Sequence, residues 1–76
     1  MGFQDYGNGS GKSGVTKFKA GEGWIEVEFR GGSVYRYTDK SAGESNICTM
    51  QVLAEAGRQL NSFINAHVRM DYESKL

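Results

Sequence analysis

Apolar and polar residues alternate in the first half of the chain. Ile25, Val27 and Phe29 are apolar, and the residues between them are charged. Successive side chains of a strand point to opposite faces, so this pattern predicts a half-buried antiparallel strand. Weaker alternation at 15–20 and at 33–38 predicts one strand on each side. Joined by glycine turns, the three strands form an antiparallel β-meander.

Tyr35 and Tyr37 share one face of the third predicted strand, and the hairpin register decides which face that is. A two-residue loop, Gly31-Gly32, places both rings on the face away from the apolar residues. A three-residue loop, Gly31-Gly32-Ser33, pairs Phe29 with Tyr35 and gathers the rings with the apolar residues. We favour the three-residue loop, because it places the apolar residues and both tyrosines on one face and sets Glu28 opposite Arg36. A slip by one residue would reverse this arrangement.

After residue 39 the pattern changes to a helical one. The segment 40–46 is polar and is predicted to be a loop, with Ser45 or Asn46 capping the helix that follows. Apolar and small residues recur at helical spacing in that helix: Ile47, Met50, Leu53, Ala54, Gly57 and Leu60. Gly57 is predicted to lie where the helix passes close to the sheet.

Asn61 is predicted to end this helix and Ser62 to begin a second, shorter one. Its inward-facing residues are predicted to be Phe63, Ile64, His67 and Val68. The predicted fold is α+β, with a three-stranded antiparallel β-meander followed by one or two C-terminal helices packed on one face of the sheet. Tyr72 is expected to pack back on the sheet.

Composition limits the organisation of the chain. Seventy-six residues allow one domain. Residues 1–13 are rich in Gly and Ser and are predicted to be a flexible tail, with a single domain over 14–76. The tail contains Gly11-Lys12-Ser13, which looks like the end of a phosphate-binding loop. Tyr6 stands where that motif requires glycine, and no strand precedes it, so nucleotide hydrolysis is not expected.

The net charge and the few chemically reactive side chains exclude several classes of function. Nine basic residues balance nine acidic ones, and the single cysteine, Cys48, has no partner for an internal disulfide. No segment is apolar enough to span a membrane, so we expect a soluble, cytoplasmic protein. One His and one Cys do not suffice for a structural zinc site. Glu26 and Glu28 are predicted on the solvent face, which does not favour acid–base chemistry. We expect no enzyme, no cofactor, no metal and no small-molecule substrate.

Three segments of the chain resemble a known family. They are the run 26–32 (Glu-Val-Glu-Phe-Arg-Gly-Gly), the triplet Tyr35-Arg36-Tyr37, and the run 63–72 (Phe-Ile-Asn-Ala-His-Val-Arg-Met-Asp-Tyr). Together they resemble the KTSC domain, a small module found at the C-terminus of some lysyl-tRNA synthetases and as a free-standing bacterial protein. Members carry a Val-Pro pair after the second tyrosine, whereas this chain has no proline. The resemblance implies a module of unknown activity for which RNA binding, in particular tRNA binding, has been proposed.

The residues predicted for nucleic-acid binding are Tyr35, Arg36, Tyr37, Arg58, Asn65, His67 and Arg69. Each has a structural alternative, which we prefer. The tyrosines are either a stacking platform for bases or part of the core, and the favoured register predicts core. That register also places Arg36 opposite Glu28 in a solvated ion pair.

The residues predicted on the last helix have alternatives too. Arg69 either contacts phosphate or pairs with the helix C-terminal dipole. His67 is either a cation for phosphate or a semi-buried side chain, and Asn65 either reads a base edge or fixes the helix to a neighbouring loop.

Two functional hypotheses follow. The first is a small RNA-binding module with a cationic patch from Lys17, Lys19, Arg58 and Arg69. The second is a module for protein–protein interaction or self-association through an exposed sheet edge or Trp24. Zero net charge favours the second and the resemblance favours the first. We rank RNA binding first.

Overall fold

The computed structural model describes residues 3–6 and 14–76. The predicted flexible segment 7–13, including Gly11-Lys12-Ser13, lies outside the described residues, as do residues 1 and 2. The fold is α+β, an antiparallel sheet with helices. Its elements are β1 (Gln4–Asp5), β2 (Val15–Gly21), β3 (Trp24–Phe29), β4 (Val34–Thr38), α1 (Asp39–Ala42), α2 (Glu44–Ala56), α3 (Leu60–Phe63) with a π-helical continuation (Ile64–Val68), and β5 (Ser74–Lys75).

The five strands lie in the sheet in their chain order, and every neighbouring pair is antiparallel. The three central strands, β2 to β4, form the predicted meander. The count of three strands was wrong, because β1 and β5 add one short strand at each edge. Each has only two residues, too few for an alternating pattern to be visible in the sequence.

The β3–β4 hairpin has the predicted faces but a different register. Val27 lies opposite Tyr35, a shift of two residues from the predicted pairing of Phe29 with Tyr35. The N–H of Phe29 donates to the carbonyl of Ser33 at 2.8 Å, so the turn is Arg30-Gly31-Gly32. Both turn glycines have φ near +95 to +99°, a conformation that favours glycine over Ser33. A shift by two preserves which face each side chain occupies.

A short helix occupies part of the segment predicted to be a loop. The hydroxyl of Thr38 accepts a hydrogen bond of 3.1 Å from the N–H of Ser41, and the Ser41 hydroxyl accepts one of 3.0 Å from the N–H of Thr38. This reciprocal capping box starts α1. Ser41 stands where Glu or Gln usually completes the box, so the capping box was not recognised from the sequence. α2 then begins at Glu44, ahead of both predicted caps.

The break between the helices lies at Gly57, and not at Asn61 as predicted. Gly57 has φ +75°, and its N–H donates to the carbonyls of Leu53 and Ala54. It is therefore a left-handed C-cap rather than an interior glycine. Asn61 lies inside α3, whose helical backbone continues through Ile64 into the π-helical turn.

The core lies between one face of the sheet and the helices. Its buried residues are Tyr6, Val15, Phe18, Ile25, Val27, Tyr37, Ala42, Ile47, Met50, Ala54, Leu60, Ile64 and Val68. Tyr6 belongs to the segment predicted to be a tail, yet its side chain is buried and its hydroxyl accepts a hydrogen bond from the N–H of Leu60. None of the helices in the described part of the chain is long and apolar enough to cross a membrane.

Gln51 ties α2 to the β2–β3 turn. Its amide nitrogen donates to the carbonyls of Gly21 at 2.7 Å and Trp24 at 2.9 Å. These two carbonyls stand at the end of the hairpin, so one side chain fixes the helix against the sheet.

Candidate binding cleft

Three tyrosine rings and a phenylalanine ring gather where β4 meets the segment after α3. The ring centroids of Tyr35 and Tyr72 are 4.8 Å apart, those of Phe29 and Tyr35 are 5.5 Å apart, and those of Tyr37 and Tyr72 are 6.4 Å apart. All three pairs are edge-to-face, the arrangement that aromatic quadrupoles favour. The expectation that Tyr72 packs back on the sheet is confirmed.

These rings form one wall of a cleft of about 290 Å³, here called the aromatic cleft. Its opposite wall is the C-terminal half of the last helix. The residues that line it are Phe29, Tyr35, Tyr37, Ile64, Asn65, Arg69, Met70 and Tyr72. The cleft is therefore lined by aromatic and aliphatic side chains together with polar groups, among them an amide and a guanidinium on the helix wall.

Tyr37 is the most buried tyrosine of the group, with 1% of its surface exposed. Burial raises the pKa of its phenol to about 12, and the neighbouring Tyr35 and Tyr72 raise that pKa further in the same direction. The prediction of core is therefore confirmed for Tyr37. Tyr35 is only partly buried and packs against the core from its edge.

Two cations, Arg69 and Lys75, lie at or beside the aromatic cleft. Arg69 is exposed, and no ion pair is formed by it within 3–6 and 14–76. The ammonium of Lys75 lies 5.7 Å from the centroid of the Tyr35 ring. None of the eight residues that line the cleft is acidic. The lining of the cleft therefore carries the charge of Arg69, while Asp71 and Glu73 follow it in the chain sequence and the chain as a whole is neutral.

Arg36 lies on the opposite face of the sheet, away from the aromatic cleft. Its guanidinium contacts Glu26 at 2.5 Å and Glu73 at 3.3 Å and lies 4.6 Å from the centroid of the Trp24 ring. The predicted pairing with Glu28 was wrong, because the register shift brings Glu26 opposite Arg36. With two carboxylates and an indole as partners, Arg36 holds the C-terminal segment to β4.

His67 and Arg58 also lie outside the aromatic cleft. His67 was predicted to face inward but is exposed, and its ring packs on Phe63 with centroids 4.6 Å apart. The π-helical turn adds a residue per turn and so rotates His67 out of the inward stripe. It lines a separate cleft of about 340 Å³ between α2 and α3. Arg58 is exposed in the connection after Gly57.

The predicted cationic patch is not formed as a unit. Lys17 pairs across the sheet with Glu28, and Lys19 pairs with Glu26. Opposite charges on neighbouring strands offset one another, so this face carries little net charge. Of the four cations predicted for the patch, only Arg69 lies at the aromatic cleft.

The sequence analysis did not predict five residues at or beside the cleft as parts of the site: Phe29, Ile64, Met70, Tyr72 and Lys75. Phe29 carried a signal, because its position in the alternating strand places it on the same face as Tyr35. Met70 is 73% exposed at the cleft, and Lys75 lies in a two-residue strand, so periodicity gives no indication of either.

The described ranges contain no group of three or more His, Cys, Asp or Glu side chains that could hold a metal ion. Comparisons with protein-family models, with curated proteins and with solved structures found no match. The resemblance to the KTSC domain stays a prediction. What is established is a small α+β protein with an aromatic cleft.

Proposed function

We propose that this protein is a small, non-catalytic RNA-binding module and that the aromatic cleft is its binding site. The observation that carries the proposal is the meeting of four residues in one cleft: Tyr35, Asn65 and Arg69 at its surface, and the buried Tyr37 behind them. These four were named from the sequence on separate grounds, and they come from a strand and from the last helix. Aromatic rings, an amide and a cation are the groups with which proteins hold unstacked RNA bases.

The charges that support RNA binding are a few cations at the cleft, because the chain has no net positive charge. One cation, Arg69, and no carboxylate line the cleft, and a second cation, Lys75, lies over the Tyr35 ring. If both contact phosphate, the logarithm of the binding constant should fall with the logarithm of salt at a slope of about −1.4 for single strands. Binding would then weaken about sevenfold between 50 and 200 mM salt. A protein with a broad basic surface would show a much steeper dependence.

The test is an amide-resolved NMR titration of the labelled protein with bulk tRNA at those two salt concentrations. We expect shifts at the amides of Tyr35, Asn65, Arg69 and Tyr72, with the modest salt dependence given above. Arg69→Gln should weaken binding, and Arg58→Gln is the matched control, because Arg58 is also an exposed arginine and does not line the cleft. Spectra unchanged by tRNA at both salts would refute the proposal.

The alternative, self-association or protein binding through a sheet edge or Trp24, has less support. β1 covers part of the outer edge of β2, and β5 covers part of the outer edge of β4. Short edge strands are a common protection against pairing between molecules. The Trp24 ring is already packed against Arg36. A molecular mass by light scattering that rises with protein concentration would favour this alternative.

A further inference from the structure

The aromatic cleft is small. Its volume of about 290 Å³ lies at the lower end of the range for ligand pockets. One wall is formed by rings from β3, β4 and the C-terminal segment, and the other by a helix. The cleft has room for one ring system of a ligand. The paired bases of a duplex are stacked on their neighbours and cannot enter such a space.

The groups in the cleft are complementary to an aromatic ring that carries an anion. Tyr35 and Tyr72 supply aromatic surface, on which a base can pack. Asn65 has both a donor and an acceptor on its amide, as the edge of a base has. Arg69 supplies a guanidinium that pairs with no carboxylate of the described chain, and its planar fork matches the oxygens of a phosphate.

Arg69 differs in this respect from Arg36. Arg36 is held by two carboxylates and an indole, so its guanidinium is already satisfied. Arg69 lines the aromatic cleft and forms no ion pair with any residue of the described ranges. An anionic ligand there gains a charge-assisted hydrogen bond without breaking an ion pair of the protein.

We infer that the cleft binds a single unpaired nucleotide, with the base against the tyrosine rings and the phosphate at Arg69. This inference rests on the proposed function and specifies it: the module binds single-stranded segments or ends of RNA and does not bind duplex. Asn65 reads the edge of the base, and Lys75 contacts a neighbouring phosphate.

Mononucleotides test the inference directly. The probes are AMP, adenosine and inorganic phosphate, each titrated into the labelled protein and followed at the amides of Tyr35, Asn65 and Tyr72. We expect AMP to shift these amides and to bind about tenfold more tightly than adenosine. Inorganic phosphate alone should leave the tyrosine amides unchanged. Equal affinities for AMP and adenosine, or no shift at the cleft with either, would overturn the inference.

Two variants separate the roles of the cation and the rings. Arg69→Gln should bring the affinity for AMP down to that for adenosine, whereas Arg58→Gln should preserve the tenfold difference. Tyr35→Leu removes an aromatic surface and should weaken both ligands. Because Tyr35 packs against the core, this variant is informative only if its amide spectrum remains dispersed, and Arg69→Gln carries the test otherwise, since its side chain is exposed.

RNA of one sequence in two forms distinguishes this inference from the proposed function. The affinity for a single-stranded octamer should exceed the affinity for the same octamer in a duplex by at least about tenfold, because only unstacked bases reach the rings. Equal binding of both forms, with no response to AMP, would leave RNA binding in place and overturn the cleft as a nucleotide site. AMP in the cleft without binding of either RNA would support the nucleotide site and overturn the RNA module.

Discussion

The backbone N–H of Leu60 donates a hydrogen bond of 3.0 Å to the hydroxyl of Tyr6. Leu60 is the first residue of α3, and the residue before it, Gln59, gives no side-chain cap. The first N–H groups of a helix have no partner within the helix. A tyrosine next to β1, 54 residues away along the chain, therefore satisfies a buried donor at the start of the helix that bears the cleft.

Tyr6→Phe is expected to lower the free energy of unfolding by about 1–3 kcal/mol, because it leaves the buried Leu60 N–H without an acceptor. Urea unfolding followed by circular dichroism measures this change. Asp5→Asn is the control, since Asp5 is exposed in the adjacent strand. Equal stability of Tyr6→Phe and the parent would show that the Leu60 N–H finds another acceptor.

Two substitutions on either side of Arg58 should have opposite effects. Gln59 has φ +66°, which is strained for a residue with a Cβ, so Gln59→Gly should raise the free energy of unfolding by about 0.5–1 kcal/mol. Gly57→Ala should lower it by about 1 kcal/mol, because Gly57 has φ +75°. Denaturant unfolding of both variants checks the pair, and effects of the same sign would contradict the left-handed assignments.

Gly21→Ala is expected to displace Trp24. A Cβ built on Gly21 would lie 2.5 Å from atoms of the Trp24 ring, which packs directly over that glycine. The ring should move outward and lose its contact with Arg36, and stability should fall by about 1–3 kcal/mol. Trp24 is the single tryptophan, so its fluorescence maximum reports the move as a red shift.

The control for that substitution is Ala20→Ser, at the neighbouring exposed position. Its emission maximum should match that of the parent protein. If Gly21→Ala also leaves the maximum unchanged, the indole does not occupy the space above Gly21.

Tyr37 gives the stability a defined dependence on alkaline pH. Its pKa is about 12 in the fold and 10.0 when unperturbed, so the fold favours the neutral phenol. This contribution is complete below pH 10 and is lost as pH rises from 10 to 12, because the unfolded chain releases its proton first. Relative to Tyr37→Phe, the parent protein should lose about 2–3 kcal/mol over that interval.

The measurement is the difference in unfolding free energy between the parent protein and Tyr37→Phe across this pH range. Groups common to both chains cancel in the difference. A difference that does not change with pH would mean that the phenol of Tyr37 titrates as in water.

The sequence predicted which residues share a face of the sheet, but it did not predict the register in which the strands pair. Ile25, Val27 and Tyr37 were assigned to one face by their period of two, and the structure agrees. The register could not be fixed, because a shift by two leaves every side chain on the same face and the glycines of the turn allow either arrangement.

The sequence predicted several residues of the candidate site, but it did not predict that they line one cleft. Tyr35, Tyr37, Asn65 and Arg69 were named, but their proximity depends on the rotation of the last helix. That rotation follows from the π-helical turn, which also turns His67 outward. The spacing of apolar residues in the sequence did not indicate a π-helical turn. The contribution of Lys75 depends on a strand that forms only by pairing with β4.

The walls of the aromatic cleft come from parts of the chain that are far apart in sequence, since Tyr35 and Tyr72 meet across 37 intervening peptide bonds. Bringing such distant residues together costs loop-closure entropy, which the hairpins and helices between them reduce once they have formed. A partly folded molecule has no cleft to offer. A ligand that needs both walls binds the native state alone, so it raises the free energy of unfolding by RT ln(1 + c/Kd), an amount that grows with the ligand concentration c.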